Sequence, residues 1–155
     1  FDEAITQYKK VIEMEPNYPI VHQFIALAYE AKGMYPEAIA EIRTADILLE
    51  RDSTESSERK AAAFTQALKT GGAQGYWHKH LELSLKEYEQ GYETAFGIAV
   101  TYARLGDKDR AFQWLEKSFV AHEEDLTGIK TESAFDGLSL DPRFQDLLRR
   151  IGLPQ

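Results

Sequence analysis

The sequence predicts an all-α chain built from antiparallel helical hairpins, and three observations carry that expectation. Apolar residues recur at helical rather than alternating spacing. Glycine and proline punctuate the apolar runs at helix ends. One series of residues also returns after 34 positions: Phe1, Ala4, Ile5, Tyr8 and Val11 are answered by Tyr35, Ala38, Ile39, Ile42 and Ala45. A period of that length is one helix pair that buries its apolar face against its neighbours.

The most informative stretch is Thr94 to Leu115, TAFGIAVTYARLGDKDRAFQWL. Ala99 and Ala111 are small enough to let two helices approach, while Ile98, Tyr102 and Leu115 fill the space around them. Gly106 suits the left-handed end of the first helix, and Asp107 is a candidate cap for the second. Ile98, Ala99, Tyr102, Gly106, Ala111 and Leu115 sit at the hydrophobic and small positions of the W-x2-L-G-x2-Y, A-x3-F signature, so the stretch resembles one tetratricopeptide repeat. The resemblance implies a right-handed α-α superhelix of hairpins that binds other proteins.

Taken in order, residues 1–18 read as a half repeat, a second helix without its first, so the chain is expected to open inside a repeat with further sequence upstream. Residues 19–57 read as a repeat plus linker. Pro19 suits a first helical turn, Ile25, Ala26 and Tyr29 form the inner stripe, and Gly33 ends the helix. His22 stands where the family often has tryptophan. Pro36 opens the partner helix, whose packing face is Ala38, Ile39, Ile42 and Ala45.

Gly33 and Gly106 lie 73 residues apart, two periods plus five, and the polar run Arg51 to Ser57 is the expected place for the extra residues. Residues 58–91 form an irregular repeat. Its first arm carries Ala61, Phe64, Thr65, Leu68 and Gly72, and its second Trp77, Leu81 and Ser84. Trp77 occupies the alanine position of the other units, so this hairpin is expected to bury the ring and to be splayed or shifted in register. Residues 92–125 form the last repeat.

Residues 126–155 form a C-terminal segment with a short helix, capped by Asp141, started by Pro142 and stopped by Gly152. The text FDGLSLDPRFQDLLRRIGLP is similar to the tail of bacterial tetratricopeptide proteins whose arrays are fused to kinase, cyclase or DNA-binding domains. An arginine commonly precedes the Ser-Asp-Pro-Arg-Phe run there; Ser139 and Leu140 stand in those places here.

Charge and composition narrow the function. Eighteen Lys and Arg against 26 Asp and Glu give a net charge of -8, which argues against nucleic acid. No apolar run approaches the roughly 18 residues a bilayer span needs, so membrane insertion is not expected. Zero cysteines exclude disulfides and thiol nucleophiles and leave the compartment open, with the cytoplasm favoured. His78 and His80 are two apart and would point about 200 degrees from each other on a helix, so they are expected to be an exposed pair rather than metal ligands. Glu123, Glu124 and Asp125 read as a solvated helix end. Gly71, Gly72 and Gly75 lack the Lys-Ser/Thr of a phosphate loop and read as hairpin punctuation. No nucleophile, base and orienter converge on a known motif, so neither enzyme activity nor a cofactor is expected.

The expected partner is a protein or peptide. By the resemblance, first helices line a concave groove, and the helical period projects twelve side chains into it: Ile20, Gln23, Leu27 and Glu30; Arg59, Ala62, Gln66 and Lys69; Glu93, Phe96, Val100 and Arg104. A groove filled by the chain's own C-terminal segment is the competing expectation. The twelve lack the Lys and Asn set of the family's clamp for chaperone tails. The second functional class is a structural, self-associating or regulatory segment of a larger bacterial regulator. Ile5, Tyr8 and Ile12 are expected to be partly uncovered, permitting a homo-oligomer by end-to-end stacking, unless the second repeat covers them and leaves a monomer.

Overall fold

The computed structural model describes residues 1–49 and 53–153, and these form an all-α structure of helices paired with antiparallel sequence neighbours. They divide into two compact units, residues 1–79 and the residues from His80 onward.

The first unit opens with α1 (Asp2–Met14), α2 (Pro19–Ala31) and α3 (Tyr35–Leu48). Pro19 and Pro36 sit in the first turns of α2 and α3, where a missing N–H costs nothing. Gly33 takes the left-handed conformation (φ 71°) that reverses the chain between them. Ile5, Ile25, Ala28, Tyr29 and Ala38 form the core between these helices, with Tyr8, Ile12 and Met34 at its margin. Ile5 is therefore covered by α2, while Tyr8 and Ile12 remain half-buried and Tyr8 stacks on Phe24. His22, where the resemblance leads one to expect tryptophan, is buried: Nε2 donates to the Pro16 carbonyl at 3.0 Å and Nδ1 lies 2.6 Å from Glu41. Two hydrogen bonds replace the packing of an indole there.

The next element, α4 (Thr54–Glu89), folds back on itself at Gly72, whose φ of 57° and ψ of -147° lie outside the helical region. Its arms are residues 54–71 and 73–89. The reversal brings Gly75 against Ala67, so closely that a Cβ on Gly75 would lie 2.3 Å from the Ala67 carbonyl oxygen. Trp77 is buried, as its size at an alanine position predicts. The hairpin accommodates it by a register shift: close approach has moved two residues upstream to a glycine. Tyr35, Phe64, Tyr76 and Trp77 pack as one aromatic group, with the Tyr76 ring tilted 37° to that of Tyr35 at 4.6 Å and Trp77 edge-on to both tyrosines.

The linker expectation needs correction. Arg51 and Asp52 lie outside the described residues, but residues 54–57 are helical rather than loop. The Ser53 hydroxyl accepts the Ser56 N–H at 3.2 Å and so converts a polar run into a first helical turn. Lys60 pairs with Asp46 at 3.1 Å, tying this arm to α3.

The second unit contains α5 (Ala95–Arg104), α6 (Lys108–Ala121), two 3-10 turns (Glu124–Gly128 and Ser133–Leu138) and α7 (Pro142–Arg150). Thr94, Asp107 and Asp141 cap the three helices through their side chains, accepting the N–H of Gly97, Arg110 and Arg143. Ile98, Ala99 and Tyr102 of α5 meet Ala111, Phe112 and Leu115 of α6, and this hairpin core continues into Leu126, Ile129, Phe135, Phe144 and Leu147 of the C-terminal segment. Leu81, Leu85 and Tyr88 close it from the second arm of α4.

Candidate functional site

The twelve side chains projected toward a groove have different fates in the two units. The three on α5, and Glu93 just before it, are engaged by their own chain. Phe96 meets Phe135 edge-to-face at 5.6 Å, and Val100 packs on the same core. Arg104 donates to Glu132 at 3.0 Å and to Ser133 at 2.7 Å, and the Glu93 carboxylate accepts the N–H of Thr94. The expectation that Phe96, Val100 and Arg104 point outward is thus corrected: the 3-10 turn Ser133–Leu138 lies on that face of α5.

Glu123 secures the other end. Its two carboxylate oxygens accept the N–H groups of Ala95 and Phe96 at 2.9 and 3.0 Å. Those amides open α5, where no intrahelical acceptor exists and the helix dipole favours an anion. Glu123 is therefore a capping residue in place of the solvated helix end expected from the acidic run; Glu124 and Asp125 do remain exposed.

In the first unit the pattern is nearly reversed. Glu30 is the exception among the candidates there, because it is buried and accepts the Tyr76 hydroxyl at 2.5 Å. Burial is the main cause, and the Glu30 carboxylate the second, of a Tyr76 pKa held far above the ordinary phenol value. Ile20 and Leu27 are exposed, Gln23 is half-buried, and Arg59, Ala62, Gln66 and Lys69 are all exposed on the first arm of α4. Arg59 pairs with Glu55 one turn away at 3.0 Å.

Phe24 escaped the sequence reading, although it is 49% exposed and stands between Ile20 and Leu27 on one stripe of α2. Its spacing from both, four and three residues, was the available signal. His80 also departs from expectation. It is half-buried, with Nδ1 3.1 Å from the Ser84 hydroxyl and 3.4 Å from that of Thr101, whereas His78 is exposed.

The edge between α6 and α7 holds an open groove of about 380 Å³, lined by Asp109, Phe112, Gln113, Glu116 and Arg143. Two arginines seven residues apart on α7 work alike along it. Arg143 lies 4.1 Å above the Phe112 ring and pairs with Asp109 and Asp141; Arg150 lies 4.3 Å above Phe119 and pairs with Glu116 and Asp146. The carboxylates push both guanidinium pKa values further up. These contacts latch α7 to α6 through paired charge and ring faces.

The Arg143 side chain, with its backbone N–H second, lowers the Asp141 carboxyl to about 2. A depressed folded-state pKa gives stability that is present above about pH 4, the unfolded value, and lost as pH falls through 2. Acid unfolding of the Asp141→Asn variant, followed by circular dichroism from pH 5 to 2, is expected to be shallower than that of the native chain. Parallel curves would mean that the pair contributes nothing to folding.

Residues 92–119, which hold α5 and most of α6, match the tetratricopeptide repeat family. Comparison with curated proteins and with solved structures gives no match. The repeat implies a protein-interaction module in general. Among the described residues, no helix is long and apolar enough to cross a membrane.

Proposed function

We propose that the chain is a non-catalytic interaction module whose partner surface lies on the first unit, along the α2 stripe of Ile20, Gln23, Phe24 and Leu27. The carrying observation is the exposure of two large apolar side chains, Phe24 at 49% and Leu27 at 56%, side by side on one helix. Leaving such a stripe in water forfeits about 1.5–3 kcal/mol for each side chain that could be buried, and clustered exposure of this kind marks an interaction surface. The face Arg59, Ala62, Gln66 and Lys69 offers polar and cationic contacts on the same unit. A partner peptide anchored by an apolar side chain fits the mixture.

A displayed random-peptide library panned on the whole chain tests this reading. Peptides selected on the native protein are expected to bind the Phe24→Glu, Leu27→Glu double variant at least about tenfold more weakly. The variant should remain folded, its thermal melt lowered by no more than the loss of the Tyr8–Phe24 stack, roughly 0.5–1.5 kcal/mol. Peptides that bind both proteins equally would remove the stripe from consideration.

Self-association is the second reading, favoured by the concentration of exposed apolar side chains on α1 and α2: Val11, Met14, Phe24 and Leu27 among them. Light scattering across a concentration series separates the two. Leu27→Glu is the better probe than Ile5→Lys, which would break a buried contact, or Phe24→Glu, which would remove the stack on Tyr8. A role within a larger bacterial kinase, cyclase or transcription regulator rests on the similarity of the C-terminal tail alone.

A further inference from the structure

Along its whole length α4 leaves helical geometry at Gly72 alone, where φ is 57° and ψ is -147°. That backbone conformation is open to glycine and strained for any residue with a Cβ. The two arms are otherwise continuous helix, so the chain reverses through one residue with no loop between them. The reversal is sharp. Phe64 and Tyr76, 12 residues apart, would be separated by about 18 Å on a straight helix, and their ring centroids lie 5.1 Å apart.

So short a turn is poised against an alternative. Reversal leaves the last carbonyls of the first arm and the first N–H groups of the second without intrahelical partners. Rotation of Gly72 into the helical region re-forms those bonds and makes residues 54–89 one unbroken helix. What opposes it is contact. The second arm would withdraw Tyr76 from the Glu30 carboxylate, to which its hydroxyl donates at 2.5 Å, and Trp77 from the Tyr35 hydroxyl, to which its N–H donates at 3.3 Å. It would also draw Tyr76 out from between Phe64 and Tyr35.

Every one of these contacts joins a residue before the hinge to a residue after it. A second copy opened at the same glycine therefore offers the same donors and rings to the same acceptors, and receives them in return. Such an exchange closes on itself with two-fold symmetry and remakes each contact twice. Contacts being equal in the two forms, the balance rests on relief at two hinges against the entropy lost on association.

We propose that Gly72 is an exchange hinge: two copies of the chain straighten α4 and trade the segment that begins at residue 73, each first unit being completed by Tyr76 and Trp77 of the other copy. This goes beyond the peptide-binding reading and makes no use of the α2 stripe. Exchange is slow, because opening must first dismantle the aromatic group.

Light scattering coupled to size-exclusion chromatography tests it on the whole chain. Native protein warmed at high concentration to just below its melting midpoint, then cooled, is expected to contain a dimer that persists on dilution. Unfolding and refolding at low concentration should return it to monomer. A Cβ at residue 72 would meet nothing within 4 Å, so Gly72→Ala reads the backbone alone. It is expected to favour the dimer at least about tenfold, since alanine is strained in the reversal and prefers the helix. A Gly-Ser-Gly insertion after Gly72 relaxes the turn and should hold the chain monomeric under the same treatment. Hydrogen exchange should show the amides of residues 73–76 more protected in the dimer, where the continuous helix supplies their acceptors.

A native chain that stays monomeric throughout overturns the proposal. So does a Gly72→Ala protein that is monomeric with the native melt, or one that precipitates or fails to fold, since a second copy would then not have accepted the arm. A dimer dispersed by Leu27→Glu, or one with unchanged exchange at residues 73–76, would be a surface association through other contacts and equally sink it. None of these outcomes touches the interaction-module reading, which stands or falls on the selected peptides.

Discussion

Trp77→Ala is expected to destabilise the first unit by about 3–5 kcal/mol, although it restores the alanine that the other repeats carry at this position. Repeat regularity alone would make the substitution favourable. Packing reverses the sign, because the indole is 5% exposed and lies edge-on to Tyr76 at 5.2 Å and to Tyr35 at 6.2 Å, and its removal leaves a cavity among rings held by other contacts. Its N–H also donates to the Tyr35 hydroxyl at 3.3 Å. The companion substitution is Gly75→Ala, which places a methyl group 2.3 Å from the Ala67 carbonyl oxygen and is expected to cost about 1–3 kcal/mol. Denaturant unfolding followed by far-ultraviolet circular dichroism measures both. A raised midpoint for Trp77→Ala would mean that the two arms can close around alanine in the ordinary register.

The second large effect belongs to the C-terminal segment. Phe135 is 1% exposed between Phe96 and Phe144, so Phe135→Ala is expected to cost about 3–5 kcal/mol. Phe96→Glu should be comparably damaging from the opposite side of the contact, since it sets a carboxylate against a buried ring. Leu27→Glu, at the counterpart of Val100, should stay within about 0.5 kcal/mol of the native protein. Each unit contains one tryptophan, Trp77 or Trp114, so a Trp77→Phe background lets Trp114 fluorescence report on the second unit alone. A Phe135→Ala protein that unfolds with the native midpoint would show that the 3-10 turn merely rests on α5.

What was legible in the sequence was local. Caps at Asp107 and Asp141, stops at Gly33, Gly106 and Gly152, and the small residues Ala38 and Ala111 act within a turn or a hairpin, and all are found in those roles. The anomaly at Trp77 was also readable, because a residue's volume at a known position is a local fact. Its remedy was harder to see, since Gly75 matters only through the opposing Ala67 backbone. Occupancy of the α5 face was left open for a related reason. The helical period shows that Phe96 and Val100 point away from α6, and it is silent on whether water or another segment meets them. Glu123 was misread because three consecutive acids are ordinarily solvated, and only the fold brings one of them to the N-terminus of α5, 28 residues back. Glu30 was misassigned similarly; its partner Tyr76 lies 46 residues away.

That last separation bears on the order in which the nascent polypeptide can mature. Glu30 is synthesised early and then waits for its phenol donor through 46 further residues, on the order of 2–9 s at a translation rate of roughly 5–20 residues per second. During the wait the carboxylate lacks that donor, and burying it with this bond unmade costs free energy. The α2–α3 hairpin is then expected to remain loose at its Glu30 end on the ribosome and to tighten only when the reversal at Gly72 delivers Tyr76. The long-range pairs of the second unit span shorter intervals, 28 residues from Arg104 to Glu132 and 34 from Glu116 to Arg150, so its closing contacts follow their partners out of the exit tunnel with less delay.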